Sequence, residues 1–392
     1  MIAASRPRCA ARPFCFFCVL RAPPRCCYDV GMTLHRVFRQ VAPLPLILWV
    51  ACSASQRGPG DYRIALVPSR SGQHGIFVMN SDTTGGKLLT SDVSAQLRPN
   101  SWSPDGKTIA FLTVRRQEFD LMTQYAIPNH SILYTMNSAG GDQKRLLDYP
   151  VSDFGWAPDS KQIFFVSAYE NPERSDPGVL RGTKTPMAAI YVFILGTHQQ
   201  KRVTGFGQGC SASWAPDGSR IAASFASGES SGIYVVTPDG RYGSRLTDST
   251  TLDLRPAWAP DGNRIAYIAA ATAAENSAAA GVFIIGADGT GRKRVSDRAA
   301  YQVAWARDGK TLLIQSTSGL ELVDADGNQI ARLTPGIDRP LDAAFTPDGQ
   351  GIMFRSNHES DWHIYFVDLT GANLRRLTGQ LTASQFCLSP LR

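Results

Sequence analysis

The chain has 392 residues and a formal net charge of +7; charged residues make up 19% of it, and Gly (35) and Pro (24) are frequent. That balance suits short strands and many turns, and no stretch reads as a long amphipathic helix. All of the excess charge lies in the first 57 residues, which hold eight arginines, no lysine and one acid, Asp29. The remainder carries as many bases as acids, so overall charge gives no reason to expect a nucleic-acid partner.

Residues 1–31 are rich in Arg, Pro and Cys and show no periodicity. They are expected to be an extension outside the folded body, with translation starting at Met32. Residues 32–52 have the layout of a signal peptide: basic His35, Arg36 and Arg39, an apolar run over Val41–Val50, then Ala51-Cys52. The run is short for a membrane span. Trp49-Val50-Ala51-Cys52 resembles the lipobox of bacterial lipoproteins, which implies lipidation at Cys52 and residues 53–61 as a flexible tether. Ordinary cleavage after Ala54 is the alternative. Cys9, Cys15, Cys18, Cys26 and Cys27 crowd the leader. Cys15 and Cys18 have C-x-x-C form but no partner pair, so no metal site is expected there. Only Cys210 and Cys387 fall in the body, and both are expected to be free thiols.

Residues 62–392 carry an internal repeat. An aromatic residue precedes a tight turn at Trp102-Ser103-Pro104-Asp105-Gly106, and again after Trp156, Trp214, Trp258, Trp305 and Phe345. The aromatic positions step by 54, 58, 44, 47 and 40 residues, the spacing of one four-stranded propeller blade. In each unit the aromatic is expected to end a short apolar strand and to supply packing surface between blades. In Pro-Asp-Gly, Pro presets φ, Asp bonds its own backbone and Gly takes the left-handed position. A second strand follows (Arg264–Ala269), then a third of Gly-Ile-Tyr pattern (Gly232-Ile233-Tyr234), then an outer strand ending in Arg-Leu-Thr (Arg332-Leu333-Thr334). Basic residues suit that outer edge because they discourage strand pairing with other chains.

The second and third strand patterns occur seven times, but the aromatic strand occurs six times. The missing copy is read at Cys387-Leu388-Ser389-Pro390, with Leu388 in the aromatic slot against the first second-type strand, Arg63–Val67. The fold class is therefore all-β, a seven-bladed propeller whose first blade takes strands from both chain ends; six blades is the alternative. The W-[SA]-P-D-G turn with its I-A-[FY] and I-Y-V strands resembles the TolB-type, WD-like propeller repeat over roughly residues 62–390. The resemblance implies the fold. It does not imply a role, because such repeats serve binding proteins, peptidase gates and some lyases. The chain lacks the separate N-terminal α/β domain of TolB, so TolB's own role is not assigned.

No catalytic constellation stands out. Gly228-Glu229-Ser230-Ser231-Gly232 fits G-x-S-x-G but sits between two strands of one blade, where a hairpin loop is expected rather than a nucleophile elbow. Asp324-Ala325-Asp326-Gly327-Asn328 starts like a calcium loop, yet Pro335 stands where its bidentate Glu belongs, so a turn is expected. His74, His130, His198, His358 and His363 are scattered, and no cofactor or metal is expected; convergence of histidines at the channel mouth would instead support a propeller-type polysaccharide lyase or hydrolase.

The two longest insertions, roughly 114–131 and 168–189, join second to third strands on neighbouring blades and share one face. Their Arg115, Arg116, Phe119, Tyr125, His130, Tyr169, Arg174 and Arg181 are the candidate binding residues. The sequence thus points to an exported, monomeric binding module of the cell envelope, periplasmic or extracellular. Its partner would be a protein or glycan, and a lipid anchor its only contact with the membrane.

Overall fold

A computed structural model describes residues 61–69, 75–91, 94–98, 100–114, 131–170, 187–205, 207–226, 232–247, 252–270, 280–334, 336–337, 340–359, 361–379 and 381–391. The expectations for the leader, the signal peptide, Cys52 and the tether lie outside these residues.

Every described element is a strand. Blade 1 contains β1 (Arg63–Pro68), β2 (Ile76–Asn80) and β3 (Lys87–Thr90). Blade 2 is β4 (Ser94–Gln96), β5 (Thr108–Val114), β6 (Ser131–Asn137) and β7 (Lys144–Arg145). Blade 3 is β8 (Asp153–Trp156), β9 (Gln162–Ser167), β10 (Ala189–Ile194) and β11 (Gln199–Arg202). Blade 4 is β12 (Gln208–Trp214), β13 (Ile221–Ala226), β14 (Gly232–Val236) and β15 (Gly243–Arg245). Blade 5 is β16 (Leu252–Trp258), β17 (Arg264–Ala270), β18 (Gly281–Gly286) and β19 (Lys293–Ser296). Blade 6 is β20 (Ala300–Trp305), β21 (Thr311–Ser316), β22 (Gly319–Asp324) and β23 (Gln329–Arg332). Blade 7 is β24 (Leu341–Phe345), β25 (Gly351–Ser356), β26 (His363–Asp368) and β27 (Arg375–Arg376). The last strand, β28 (Ala383–Leu388), returns to blade 1, whose order is β28-β1-β2-β3. All seven sheets are four-stranded and antiparallel, and Leu388 pairs with Ile64 as the strand count requires.

The turn chemistry explains the hairpins between first and second strands. Asp159, Asp217, Asp261 and Asp308 each accept a hydrogen bond at Oδ1 from the backbone N–H two residues on, at 2.7–2.9 Å. Gly262 follows at φ 72°, in the left-handed region where an L side chain pays roughly 1–2 kcal/mol. Against a desolvation that pushes the other way, such bonds hold the Asp217, Asp261 and Asp308 carboxyls below the ordinary carboxylate range, and the Ser103 hydroxyl and Lys107 N–H do the same for Asp105. A depressed folded-state pKa contributes stability above the unfolded value, about 4, and that stability is lost as pH falls through the folded value. The urea midpoint is therefore expected to hold from pH 7 to 5 and to drop below about pH 4. Asp217→Asn keeps the acceptor oxygen without the titration, and should lose part of that acid sensitivity.

The outer strands are exposed and basic, as anticipated: Lys144 and Arg145, Gln199 through Arg202, and Arg375 and Arg376 all face solvent. The threonine that ends the Arg-Leu-Thr pattern has a role its sequence position did not disclose. Thr247, Thr334 and Thr378 are each 2% exposed, and each Oγ1 accepts the backbone N–H that opens the neighbouring third strand: Ile233, Leu320 and Ile364, at 2.9–3.0 Å. Thr334→Val keeps the shape and removes the acceptor. It is expected to cost about 1–3 kcal/mol in urea unfolding, with Thr334→Ser close to the parent.

Seven clusters of buried side chains lie one at each blade boundary. The repeat aromatics enter six of them, and at the seventh, between blades 7 and 1, Phe386 and Leu388 take that place. Trp156 packs with Ala110, Leu112 and Leu133 of the preceding blade, and its Nε1–H donates to Ser101 O at 3.1 Å. Trp305 donates to Ala257 O at 3.0 Å in the same way. Arginines that open the second strands cover the next blade's indole: Arg63 over Trp102 at 4.6 Å, Arg220 over Trp258 at 5.0 Å and Arg264 over Trp305 at 4.9 Å. Trp102 departs from the expectation that the aromatic ends a strand. It lies six residues beyond β4 and keeps only an isolated bridge to Ile109.

Candidate functional site

The innermost strands of the seven blades enclose one cavity of about 1130 Å³. These strands are expected from the sequence to be apolar, and in the structure they carry a polar ring. Three positions before five of the six repeat aromatics stands a polar residue, Asp153, Ser211, Arg255, Gln302 and Asp342, and Gln385 stands likewise before Leu388; before Trp102 the position is Pro99. Of the polar residues, all but Gln385 line the cavity. Alternation explains it: one side of each inner strand feeds a blade boundary while the other meets channel water.

Most of this polar ring is engaged across blade boundaries. Gln385 Oε1 accepts from Leu97 N at 2.7 Å, joining blades 1 and 2. Arg98 donates from Nη2 to Ser152 O at 3.1 Å and lies 3.5 Å from Asp153, joining blades 2 and 3. Ser211 Oγ accepts from Arg255 N at 3.0 Å, joining blades 4 and 5. Gln302 Nε2 donates to Ala343 O at 3.0 Å, joining blades 6 and 7. Asp342 is held within its own blade by Arg355 at 2.8 Å. Asp153 is 38% accessible from the channel yet surrounded by protein. Desolvation lifts its carboxyl above the ordinary range, with Arg98 and Arg255 opposing.

Two ring residues are also backbone outliers. Arg255 and Asp342 have φ of 52° and 54°, at bulges where Leu254/Ala257 and Leu341/Ala344 shift register against β17 and β25. Arg255 precedes Pro256, a position that normally favours extended backbone. Bulges beside a site re-aim a side chain, and non-glycine residues hold left-handed φ only where the surroundings impose it.

Of the eight candidate binding residues, Tyr169 is the one inside the described set; Arg115, Arg116, Phe119, Tyr125, His130, Arg174 and Arg181 lie outside it. Tyr169 stacks on Tyr149 with centroids 3.7 Å apart and rings 9° from parallel. Its hydroxyl donates to Glu170 Oε1 at 2.7 Å and accepts from Gln200 Nε2 at 2.9 Å. Desolvation and Glu170 push that phenol up to about 12. The two long connections, β5–β6 and β9–β10, leave from the face on which the inner strands begin, as their place in the repeat implied.

Three of the five candidate histidines are described, each in a setting of its own. His198 sits at φ 57° next to Thr197 in the β10–β11 turn, with its ring edge-on to Phe193. His363 is buried, its Nδ1 3.2 Å from both Thr378 Oγ1 and Leu381 O, and His358 Nε2 lies 3.6 Å from Glu359. His74 and His130 are outside the described residues, among which no three His, Cys, Asp or Glu residues gather as a metal site would require. Asp324 makes the expected turn, accepting from Asp326 N and Asn328 N at 2.8 Å. Of the Gly228–Gly232 segment Gly232 is described, and the strands that flank the segment, β13 and β14, pair antiparallel. Cys387 is free and buried, and burial pushes its thiol up; the Cys210 side chain lies outside the described residues.

The likenesses to known proteins follow the fold. An oligogalacturonate lyase in complex with manganese superposes with a TM-score of 0.58 at 14% identity, over 76% of this chain and 83% of that one. The β-propeller domain of the Trilobed protease from Pyrococcus furiosus superposes with a TM-score of 0.54 at 14% identity, over 82% and 97%. In sequence, 135 residues are 28% identical to "Uncharacterized peptidase YuxL" of Bacillus subtilis (strain 168), spanning 32% of this chain and 19% of that protein. The chain therefore covers less than a fifth of that relative, and the superpositions speak to the fold alone. The chain is a seven-bladed β-propeller, and its residues 183–321 match the family model described as the TolB beta propeller domain.

Proposed function

We propose that the chain is a binding module, exported to the cell envelope, that receives a protein or glycan partner on the face carrying the β5–β6 and β9–β10 connections. The observation that supports it most is the axial cavity of about 1130 Å³, lined by charged and amide side chains of which Arg98 and Gln302 bond across blade boundaries. Pre-formed cavities of that size with a few fixed polar groups suit ligands, and long loops on a rigid scaffold commonly add contacts. The leader's signal-peptide layout and the lipobox-like Ala51-Cys52 motivate the envelope assignment, with lipid at Cys52 as the anchor.

The experiment is affinity capture from envelope extracts with the full chain and with a variant whose residues 115–130 and 171–186 are replaced by short Gly-Asn turns. A partner recovered by the parent and lost with the variant supports the reading. Equal recovery would remove the loop face from it. No specific partner from any extract would sink the binding-module reading itself.

A further inference from the structure

The ring of channel residues contains one guanidinium that no hydrogen bond or ion pair holds among the described residues. Arg98 is paired with Asp153, and Arg355 with Asp342. Ser211, Gln302 and Gln385 are spent across blade boundaries. Arg255 gives its backbone N–H to that network, and its charge helps lower the Asp153 carboxyl from across the lumen. Its guanidinium is exposed to the cavity and makes no hydrogen bond or ion pair among the described residues.

A second arginine is placed alike. Arg307 stands where the other five turns have proline (Pro104, Pro158, Pro216, Pro260 and Pro347), three of which, Pro216, Pro260 and Pro347, line the cavity. It too is exposed and without a side-chain partner among the described residues. The described wall therefore holds Arg98, Arg255 and Arg307 against Asp153 and Asp342, with Arg355 behind Asp342. A concave, low-dielectric enclosure with surplus positive charge concentrates anions. A guanidinium fork matches a carboxylate in two parallel hydrogen bonds. Arg255 is also aimed there at a backbone cost, from a left-handed position before a proline.

We propose that Arg255, assisted by Arg307, binds the carboxylates of an extended acidic peptide segment that enters the axial channel; this rests on the binding-module reading above. A peptide is favoured over an acidic sugar chain by the aromatic wall. Sugar rings stack on open aromatic faces, but Trp258 and Phe154 are buried, Trp305 carries the Arg264 guanidinium, and Phe345 packs on the blade 6–7 core. The ring offers donors at Arg255 and acceptors at Asp153 and Gln302 Oε1, which suits the alternating N–H and C=O groups of an extended chain.

The test is calorimetric titration of the full chain with a hexaglutamate peptide blocked at both ends, its hexaglutamine counterpart, and trigalacturonate. Hexaglutamate should bind, more weakly as salt rises, and hexaglutamine should not. Arg255→Gln should weaken hexaglutamate at least tenfold and Arg307→Gln about threefold, with Arg255→Lys between parent and Arg255→Gln. Arg255→Gly releases the left-handed strain, so its thermal midpoint should equal or exceed the parent's while binding is lost. Hexaglutamate binding unchanged in Arg255→Gln, no hexaglutamate binding by the parent, or trigalacturonate binding in its place would each overturn the proposal. Envelope capture that succeeds while hexaglutamate fails leaves the binding module standing and removes only the carboxylate assignment.

Discussion

A chain ending at Leu381, which lacks β28, is expected to lose its cooperative unfolding transition and to associate in solution. β28 is the inner strand of blade 1, paired with β1 from Ile64↔Leu388 to Pro68↔Ala383. It also supplies both flanking cores: Phe386 and Ala383 sit between blades 7 and 1, and Cys387 between blades 1 and 2. Phe386 is 3% exposed, and truncating such a side chain to alanine alone costs about 3–5 kcal/mol. Domains of this kind are stable by only ~5–15 kcal/mol, so loss of the whole strand should consume most of that margin. The strand left behind is worse placed still. Ile64 and Leu66 are fully buried, and without β28 they would stand on a free, apolar sheet edge of the kind that recruits other chains. Thermal unfolding followed by circular dichroism, with size-exclusion chromatography, checks this. A truncated monomer that melts like the parent would contradict it. Phe386→Ala, which keeps the backbone pairing, should melt cooperatively at a lower midpoint.

The second large effect is expected at Trp156. The indole is 7% exposed and fills the blade 2–3 boundary among Ala110, Leu112, Leu133 and Phe165. Trp156→Ala should cost about 3–5 kcal/mol in urea unfolding, because the seam cannot collapse without moving a whole blade. Trp156→Phe restores part of the volume but leaves Ser101 O without the Nε1–H that reaches it at 3.1 Å. A loss of about 1–2 kcal/mol is expected there. Arg255→Gln, by contrast, removes no buried contact and should leave stability within ~0.5 kcal/mol of the parent. The contrast separates residues that hold the ring from those that face its lumen.

Most of the architecture was legible because each blade repeats the same local chemistry. The Pro-Asp-Gly turn demands a side-chain acceptor and a left-handed position, and Asp261 with Gly262 delivers both. Counting strand classes gave seven blades and paired Leu388 with Ile64, since a ring leaves the final strand one place to go. The channel was less legible for a physical reason. Packing selects one residue type at the aromatic position. The lumen selects only for polarity, so three residues before the later aromatics and Leu388 the chain reads Asp, Ser, Arg, Gln, Asp and Gln, and before Trp102 it reads Pro99. The fixed offset from the aromatic was the available signal, and a search for apolar alternation passes over it. The bulges at Arg255 and Asp342 add one residue each to an inner strand and so blur the alternation where the lumen is most charged. The buried threonines of the outer strands were seen as part of a motif, but their partner N–H lies fourteen residues earlier in the chain, as for Thr334 and Leu320.

The claim that this propeller works by receiving a partner in its channel is tested most directly by site-specific photocrosslinking. A benzoylphenylalanine would be placed at Gln302 in the cavity wall, or at Ile330, which is 53% exposed on the outer strand β23. Cells producing each form would be irradiated and the tagged chain recovered. A discrete adduct from position 302 and none from position 330 is the predicted result. An adduct from position 330 alone, or from neither position, would contradict it.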